Sequence, residues 1–327
     1  MLQTAGDRTG SNTRYVDQID EGAPADLEVL TFSWWRALFG SYDVLHVHWP
    51  ESLLRHGLPV AQRIKRLLTR LVLARLALHR VPLVRTVHNE GPHEPGDRAE
   101  HALLEDIDRR TGLWIVLNGS TRTPRGAWRV EIPHGHFRGR FDVDPTWQAV
   151  RGRLLQFGRI RPYKGIDRLL EVFRAIPDGE VSLRVVGKPL DQGIADTVRS
   201  AAARDARITH RLEFVDDDDL VREVSESELV VLAYTVFHNS GAALLALSLD
   251  RPVLLPRSGS SEALAAEAGP GWVHLFDPPL TVNDVRRALE SSRAPGRSER
   301  PDLRSRDWDH VGRLHRDAYR AVLRRYP

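Results

Sequence analysis

The segment from Phe157 to Asp167, with the sequence FGRIRPYKGID, combines residue types that bind phosphate groups. Gly158 permits a tight backbone turn, and Arg159 and Lys164 supply two cations that can converge on one anion. Gly165 begins a helix, and the free amides at a helix N-terminus favour negative charge. These features predict a diphosphate-binding loop, although a plain strand-to-helix turn with solvated cations fits the same pattern.

A second helix start of similar chemistry follows later in the chain. The apolar run Glu228–Tyr234 predicts a buried strand, and Asn239, Ser240 and Gly241 precede an apolar helix. Asn and Ser are good N-caps, and exposed amides at such a start bind anions. We expect these three residues to take part in the same diphosphate site.

Polar side chains are densest in the amino-terminal half after a strand predicted at Leu83–Val87. The residues that follow it are His88, Asn89, Glu90, His93 and Glu94. Ionisable groups at the carboxyl end of a strand are typical of an active site. His88 and the two glutamates are candidate general bases, whereas Asn89 and His93 are candidate cleft residues. A polar surface loop is the competing interpretation.

The segment DVLHVHWPE places His46 and His48 on one side of a strand, because side chains alternate along it. Two such histidines could bind a metal, but no third ligand follows at diagnostic spacing, and a packed or hydrogen-bonded pair fits as well. Ligands of open α/β sheets bind at the carboxyl ends of strands, so His48 is a cleft candidate and Glu51 a candidate base. In the amino-terminal loop, Asn12 is a further cleft candidate.

A long helix predicted at Val60–Arg80 is basic and rich in leucine. Between Ser52 and Asn89 there is no acidic residue. Such a helix is able to rest on anionic lipid headgroups or hold a lipid diphosphate, although a solvated face of a core helix is equally consistent. Nucleic acid is not an expected partner, since aromatic residues are not interleaved with the cations. The residues predicted to contact a membrane or lipid are Arg63, Lys65, Arg66 and Arg70.

Composition places the chain among soluble globular proteins of more than one domain. It has 327 residues, of which 41% are hydrophobic and 28% charged, a net charge of +3 and a pI near 9.4. The absence of cysteine excludes disulfides and thiolate metal sites. No apolar run is long enough for a membrane span, and the amino-terminal segment lacks the apolar core of a signal peptide. We therefore expect a cytoplasmic protein, which the basic helix could bring into contact with the inner face of the cell membrane.

Strands and helices alternate along the chain, which is typical of doubly wound parallel α/β sheets. Residues 1–145 are predicted to form one domain, 146–304 a second, and 305–327 a final helix. In the amino-terminal half, Trp34, Trp35, Leu38 and Phe39 fit one face of a short helix. The strands predicted in the second domain are Leu154–Phe157, Ser182–Val186, Arg211–Val215, Glu228–Leu232, Pro252–Leu255 and Trp272–Phe276.

These segments resemble a known family. GRIRPYKGID is similar to the G-R-x(n)-K-G motif of GT-B glycosyltransferases related to glycosyltransferase family 4, and NSGAALLALSLDRPVLLP to that family's glycine-rich turn. The likeness extends over DVLHVHWPE, VPLVRTVHNEGPHE and WDHVGRLHRDAYRAVL, so it spans most of the chain. The arrangement of HWPE, TVHN and NSG looks most like bacterial GDP-mannose:glycolipid 4-β-mannosyltransferase-type enzymes.

The resemblance implies two Rossmann-like domains facing across a cleft, with the last helix crossing back to the first domain. It implies transfer of a hexose, with mannose favoured, from a nucleotide diphosphate sugar to a glycan or lipid-linked acceptor. No cofactor or metal is expected, and a GDP-sugar is favoured over a UDP-sugar. His88 matches a histidine beside the donor sugar. The residues that match the donor's nucleotide or sugar surroundings are Gly187, Lys188 and His238.

One departure from the family concerns its paired glutamates. Retaining members carry two glutamates eight positions apart around the glycine-rich turn, and the matching positions here are Phe237 and Leu245, or His238 and Ala246. Neither pair contains a carboxylate. We therefore expect an inverting displacement, with a base from the first domain.

Two other functions remain consistent with the sequence. A sugar-nucleotide epimerase or hydrolase-like enzyme of the same fold would share the diphosphate loop, but a small soluble substrate would not require the basic helix. A catalytically silent scaffold or activating subunit would explain the missing carboxylates. Nucleotide binding distinguishes the last from both enzymes.

Overall fold

The computed structural model describes residues 1–4, 15–88, 96–177, 179, 181–235 and 237–326. The chain divides into two compact units, Met1–Gly135 with Ser305–Pro327, and His136–Arg304. The boundary predicted at 145 falls inside the second unit, because Phe137 is buried in that unit's core and its amide donates to Ser248 Oγ at 2.9 Å.

The first unit is built on a six-stranded parallel sheet with the order β2-β1-β3-β4-β5-β6. Helices follow the strands along the chain, as the alternation predicts. Its elements are β1 (Leu2–Gln3), α1 (Tyr15–Glu21), β2 (Leu30–Thr31), α2 (Trp34–Phe39), β3 (Leu45–Val47), a 3-10 helix (Pro50–Leu53), α3 (Pro59–Leu78), β4 (Leu83–Val87), α4 (Arg98–Arg110), β5 (Thr111–Val116) and β6 (Arg129–Glu131).

The second unit is built on another six-stranded parallel sheet, with the order β12-β11-β10-β7-β8-β9. Its apolar clusters cover both faces of this sheet. Its elements are β7 (Arg153–Phe157), a 3-10 helix (Pro162–Lys164), α5 (Ile166–Arg174), β8 (Ser182–Val186), α6 (Gln192–Arg204), β9 (Ile208–Arg211), α7 (Asp217–Ser225), β10 (Leu229–Val231), α8 (Gly241–Ser248), β11 (Val253–Pro256), α9 (Gly259–Ala268), β12 (Val273–Phe276) and α10 (Val282–Arg293).

The chain then passes through a 3-10 helix (Arg304–Arg306) into α11 (Trp308–Leu323), which belongs to the first unit. Val311 and Tyr319 are buried there in the same cluster as Val84 of β4. At the contact of α11 with α1, a side chain at Gly312 would meet the Gly22 carbonyl oxygen at 1.7 Å. Only glycine fits at that distance, and it lets the two helices meet closely.

Two predicted features of local structure were wrong. The strand expected at Arg211–Val215 lies earlier, because Ile208 is the buried residue of β9 while Phe214 is 81% exposed. In α2, Trp34 packs on the core, but Trp35 and Phe39 are 73% and 67% exposed. Apolar periodicity therefore located both segments without identifying which apolar residues the fold covers.

Candidate functional site

The loops after β7 and β8 approach each other so closely that both begin with glycine. Gly158 and Gly187 have positive φ values of 89° and 136°, and a side chain on Gly187 would meet the Gly158 carbonyl oxygen at 2.1 Å. Ile160 and Lys188 continue the contact, with the amide of the first donating to the carbonyl of the second at 3.0 Å. The two loops form one backbone frame at the carboxyl edge of the sheet.

Lys164 lies within this frame. The residue is only 8% exposed, and a Cβ on Gly158 would lie 3.1 Å from the Nζ of Lys164. Gly165 follows with a φ of 65°, and a Cβ there would meet the Ala233 carbonyl oxygen at 1.9 Å. The glycine is thus required for the tight turn that holds the lysine against the strands.

The ammonium of Lys164 is a buried cation without a carboxylate partner within the described part of the chain. Burial, with a smaller contribution from the nearby charge of Arg161, lowers its pKa to about 8. The Nζ atom lies 5.4 Å from the centroid of the Tyr234 ring, a weak cation–π contact. A buried charge that the protein does not compensate is costly, so this site favours an anionic ligand.

The other cations of these loops are more accessible than Lys164. Arg159 and Lys188 are exposed, and Arg161 is half-buried. Of these cations, Arg161 lies near Lys164, since its positive charge lowers the pKa of that lysine. The sequence did not single out Arg161, since its spacing gave no reason to prefer it over its neighbours.

The start of α8 has the capped geometry that the sequence predicts. The hydroxyl of Ser240 accepts a hydrogen bond from the Ala243 amide at 3.3 Å, and Gly241 is exposed with open space where a side chain would be. Asn239 and His238 are half-buried beside this start. Sequence reasoning missed Tyr234, which contacts both Lys164 and, through a hydrogen bond, Ser240. It joins the two predicted halves of the anion site.

A separate polar cavity of about 560 Å³ in the second unit is lined by several arginines, but their charges, unlike that of Lys164, are compensated by the protein. Each of these arginines is paired with a carboxylate, so their charges are already compensated. Lys164 differs from these arginines, because no carboxylate within the described residues pairs with it. The pairs are Arg153–Glu226, Arg184–Glu223, Arg207–Asp205, Arg211–Asp219 and Arg222–Glu226.

In the first unit, the carboxyl ends of β3 and β4 bring two histidines together. Nδ1 of His48 lies 3.1 Å from Nε2 of His88. Trp49 stacks on the His88 ring at a centroid distance of 4.3 Å and an interplanar angle of 18°, and Tyr15 meets it edge-on at 4.9 Å. Aromatic contacts on this ring fix its plane.

His46 has a different role. Its Nε2 lies 2.7 Å from Thr86 Oγ1 on β4, and its Nδ1 lies 2.8 Å from the hydroxyl of Tyr319 on α11. Its ring centroid is 4.1 Å from that of His48, as expected for two residues on the same side of a strand. Because both ring nitrogens of His46 have protein partners, it acts as a structural link between β3, β4 and α11.

Of the remaining catalytic and cleft candidates in the amino-terminal half, the structure describes only Glu51. Glu51 is half-buried in the 3-10 helix after β3. Burial lowers the pKa of Arg85, and the carboxylate of Glu51 opposes that shift, so these two groups are near each other. The candidates Asn12, Asn89, Glu90, His93 and Glu94 lie outside the described residues.

The basic helix α3 exposes fewer cations than the sequence predicts. Lys65 donates to the carbonyl oxygens of Ser52 at 2.7 Å and Arg55 at 3.0 Å, and Arg66 pairs with Asp97 at 2.9 Å. Both cations therefore hold α3 to neighbouring segments rather than face outward. Arg63 and Arg70 are exposed, as predicted.

An exposed apolar stripe, which the sequence analysis missed, runs along α3 beside these two arginines. Its first four members recur every three or four residues, and the fifth follows seven residues, about two helical turns, later. On the adjoining α2, the ring centroids of the exposed Trp35 and Phe39 lie 4.6 Å apart. None of the helices in the described chain is long and apolar enough to cross a membrane. The stripe consists of Val60, Ile64, Leu67, Leu71 and Leu78, whose exposed fractions are 68%, 53%, 54%, 48% and 78%.

Solved structures similar to this chain define its fold class. Anabaena Alr3699/HepE in complex with UDP-glucose matches with a TM-score of 0.62 at 14% identity, over 99% of this chain and 97% of that chain. The α,α-trehalose 6-phosphate synthase from Burkholderia multivorans matches with a TM-score of 0.61 at 15% identity, over 90% and 74%. The two Rossmann-like sheets are those of a GT-B glycosyltransferase, and the predicted fold class is confirmed.

Curated relatives define the family more narrowly. Two proteins of Xanthomonas campestris pv. campestris, each named GDP-mannose:glycolipid 4-β-D-mannosyltransferase, are 44% and 43% identical over 318 residues, which cover 97% of this chain and 91% of each relative. No model of a known protein family matches the chain. The chain belongs to the family of these mannosyltransferases and is a glycosyltransferase that uses a nucleotide-sugar donor, which confirms the resemblance.

Proposed function

We propose that this glycosyltransferase transfers mannose from GDP-mannose to a glycolipid acceptor, with inversion of configuration and without a metal ion. The Xanthomonas relatives are named for that donor, that class of acceptor and a β-linked product. GDP-mannose carries its sugar in the α configuration, so formation of a β linkage requires inversion. The absence of a carboxylate at Phe237, His238, Leu245 and Ala246 agrees with a single displacement.

One observation on this chain carries the proposal: the buried ammonium of Lys164 has no carboxylate partner within the described residues. Cleavage of the sugar–phosphate bond builds negative charge on the departing diphosphate. Lys164, Arg159 and the amides at the start of α8 supply positive charge to it, and each charge-assisted hydrogen bond contributes about 1.5–3 kcal/mol. This chemistry stabilises the leaving group with the protein's own cations.

The acceptor hydroxyl needs a general base, which we assign to the first unit. Glu51, Glu90, Glu94 and His88 are the candidates, since a carboxylate or neutral imidazole within hydrogen-bond reach of the hydroxyl can take its proton. Gly187, Lys188 and His238 are proposed to surround the donor nucleotide or sugar. Asn12, His48, Asn89 and His93 are proposed to line the acceptor side.

The function is tested by incubating the purified protein with GDP-mannose or UDP-glucose and a lipid-linked glycan. We expect sugar to appear in the lipid fraction with GDP-mannose, and proton NMR of the product to show a β linkage. Chelation with EDTA should leave the rate unchanged. Transfer from UDP-glucose but not from GDP-mannose would contradict the proposed donor, and an α-linked product would contradict inversion. Loss of activity on chelation, restored by added metal, would contradict metal independence. Calorimetry should show GDP binding, whereas a silent scaffold would bind neither nucleotide.

We further propose that α2 and α3 rest on the anionic inner face of the cell membrane, where the acceptor lipid lies. Aromatic and aliphatic side chains favour the interface, and Arg63 and Arg70 favour anionic headgroups. Lys65 and Arg66 are excluded from this contact by their hydrogen bonds within the protein. The apolar stripe supplies the larger part of the contact.

Vesicle sedimentation tests this surface. Replacing Leu67 and Leu71 by Gln should weaken binding to all vesicles, because apolar area is lost from the contact. Replacing Arg63 and Arg70 by Gln should weaken binding only to vesicles with anionic lipid, by about 2 kcal/mol or roughly thirtyfold. The control is Phe214→Gln, which removes an even more exposed apolar side chain from the second unit. Failure of the parent protein to bind anionic vesicles would contradict the proposal.

A further inference from the structure

A cavity of about 270 Å³ lies in the first unit, at the edge of the sheet where its strands begin. Leu83 and Thr111, the first residues of β4 and β5, line it together with the ends of α3 and α4. His48 and His88 follow the opposite, carboxyl ends of β3 and β4. Because β4 has five residues, about 16 Å separates the two edges. The cavity is therefore distinct from the candidate catalytic site.

The interior of this cavity is apolar, and its opening is cationic. The lining residues Leu73, Leu76 and Leu83 are buried in the core of the unit. The charged lining residues are exposed arginines, which surround the opening. The volume is near that of the smallest ligand pockets, about 300 Å³, so the cavity admits a short length of alkyl chain. A ligand that fits it places an apolar chain inside and a negative group at the opening.

The three arginines at the opening are Arg80, Arg109 and Arg110. Arg109 and Arg110 both contact the same Oδ1 atom of Asp106, each at 3.2 Å. Arg80 forms no ion pair with a carboxylate of the described residues. Three cations with one carboxylate leave the opening positively charged, which favours an anionic group such as a phosphate.

Arg80 has a backbone conformation that is unfavourable for a residue with a side chain. Its φ is 53°, in the left-handed region, and the Val81 amide donates to the Leu76 carbonyl oxygen at 2.9 Å where α3 ends. Glycine is the usual residue at this position of a helix end, because other residues are strained there. The chain therefore keeps a cation at the opening although glycine would relieve the strain.

The opening adjoins the end of the apolar stripe on α3. Leu78, the last residue of α3 and a member of the stripe, is 78% exposed and lies between the lining residues Ala77 and Arg80 in the chain. A membrane in contact with the stripe would therefore meet the opening. An anionic phospholipid carries both groups that the cavity favours, a phosphate and an alkyl chain. The glycolipid acceptor is not the expected occupant, because its reactive end must reach the opposite edge of the sheet.

We propose that this cavity binds one anionic phospholipid of the membrane, with the phosphate on Arg80, Arg109 and Arg110 and the first part of an acyl chain in the apolar interior. The bound lipid holds the end of α3 at the membrane surface, where the stripe alone makes only nonspecific contact. The membrane source of the lipid rests on the proposed function of α2 and α3. Binding of an alkyl phosphate in the cavity does not.

Calorimetry with octyl phosphate, kept below the concentration at which it forms micelles, tests the site without a membrane. We expect binding to be at least about tenfold weaker for inorganic phosphate, which lacks the chain, and for octyl glucoside, which lacks the charge. Inorganic phosphate that binds as tightly as octyl phosphate would exclude the chain from the site. Octyl glucoside that binds as tightly would exclude the arginines. Either result overturns the proposal.

Variants of α3 and its end place this binding in the cavity. Ala77→Phe fills the cavity from an exposed position, whereas Ala74→Phe adds the same ring to the same helix outside it. We expect Ala77→Phe to bind octyl phosphate at least about tenfold more weakly than the parent and Ala74→Phe to match the parent. Equal affinity of these two variants overturns the proposal.

Arg80→Gly separates binding from folding. It removes one cation and relieves the strained backbone, so we expect about fivefold weaker binding of octyl phosphate and a melting temperature equal to that of the parent or higher. A variant that is as stable as the parent and binds octyl phosphate equally well overturns the role of Arg80.

Crosslinking from vesicles identifies the source of the ligand. The probe is an anionic phospholipid with a photoreactive diazirine on its acyl chain, and mass spectrometry maps the labelled peptides. We expect label within residues 73–83 of the parent and its loss from that segment in Ala77→Phe. Label confined to α2 and the first half of α3, or label displaced by an excess of the lipid-linked glycan acceptor, overturns the assignment to a membrane phospholipid. Failure to bind vesicles would contradict the proposed membrane contact, while the calorimetry would still test the cavity.

Discussion

Replacement of Lys164 by Met should lower kcat/KM at least tenfold while the free energy of unfolding stays the same or rises. The loss follows because the departing diphosphate no longer meets a buried ammonium, whose charge-assisted bond is worth about 1.5–3 kcal/mol. Met keeps most of the apolar stem and removes the charge. Steady-state kinetics and chemical denaturation of the same preparation measure the two effects.

The expected stability change follows from the sign of the pKa shift. Burial lowers the pKa of Lys164 from 10.5 to about 8. Below pH 8 the lysine is protonated in both folded and unfolded states, so the native state bears the full cost of the buried charge, of the order of 3 kcal/mol. Between pH 8 and 10.5 the native lysine loses its proton first and the cost disappears. An anion bound at Lys164 offsets that cost.

The same shift gives an independent signature of diphosphate contact. Binding of GDP near pH 8.5 should be accompanied by proton uptake, because the anion raises the pKa of Lys164 again. Calorimetry in buffers of different ionisation enthalpy measures this uptake, and Lys164→Met should abolish it. Arg174→Ala is the matched control, since it removes an exposed cation from the far end of α5. Normal turnover in Lys164→Met would remove the lysine from the proposed mechanism.

Acid should unfold the first unit well before it unfolds the second. Burial lowers the pKa of His134 and of His315 to about 4, and it lowers the pKa of His46, His48 and His88 well below the usual value. Above pH 6.5 these rings are neutral in both states. As pH falls from 6.5 toward 4, the unfolded chain binds protons that the native unit excludes, so stability falls by about 1.4 kcal/mol per pH unit for each histidine.

Denaturation at a series of pH values from 7 to 4.5 measures this slope. His134 and His315 alone should contribute roughly 3 kcal/mol per pH unit together. In His315→Gln the slope should fall by about 1.4 kcal/mol per pH unit, whereas exchange of the exposed His79 should leave it unchanged. A stability that stays constant between pH 6.5 and 5 would mean that these rings are not held neutral by burial.

The element order of both sheets was predictable because apolar strands, capped helices and glycine turns are local signals. β7, β8 and the start of α8 were expected close to where they lie, and the G-R-x(n)-K-G segment does form a turn around Lys164. Local patterns failed to predict burial at two segments, where some apolar residues of the run stay exposed to solvent. The sequence of α2 and of the segment after β9 gives no sign that Trp35 and Phe214 remain exposed.

The sequence by itself determined the residue types of the site: two cations separated by a short spacing, glycines at the turns, and polar groups at strand ends. Only the tertiary structure decided which of the charged side chains are already paired within the protein and which remain able to bind a ligand. Lys65 and Arg66 have partners contributed by Ser52 and Asp97, which sequence spacing does not connect to them. Lys164 is instead buried against the adjacent strands, and no carboxylate of the described residues pairs with it. These lysines and arginines differ because burial and charge compensation depend on segments that lie far apart in the chain.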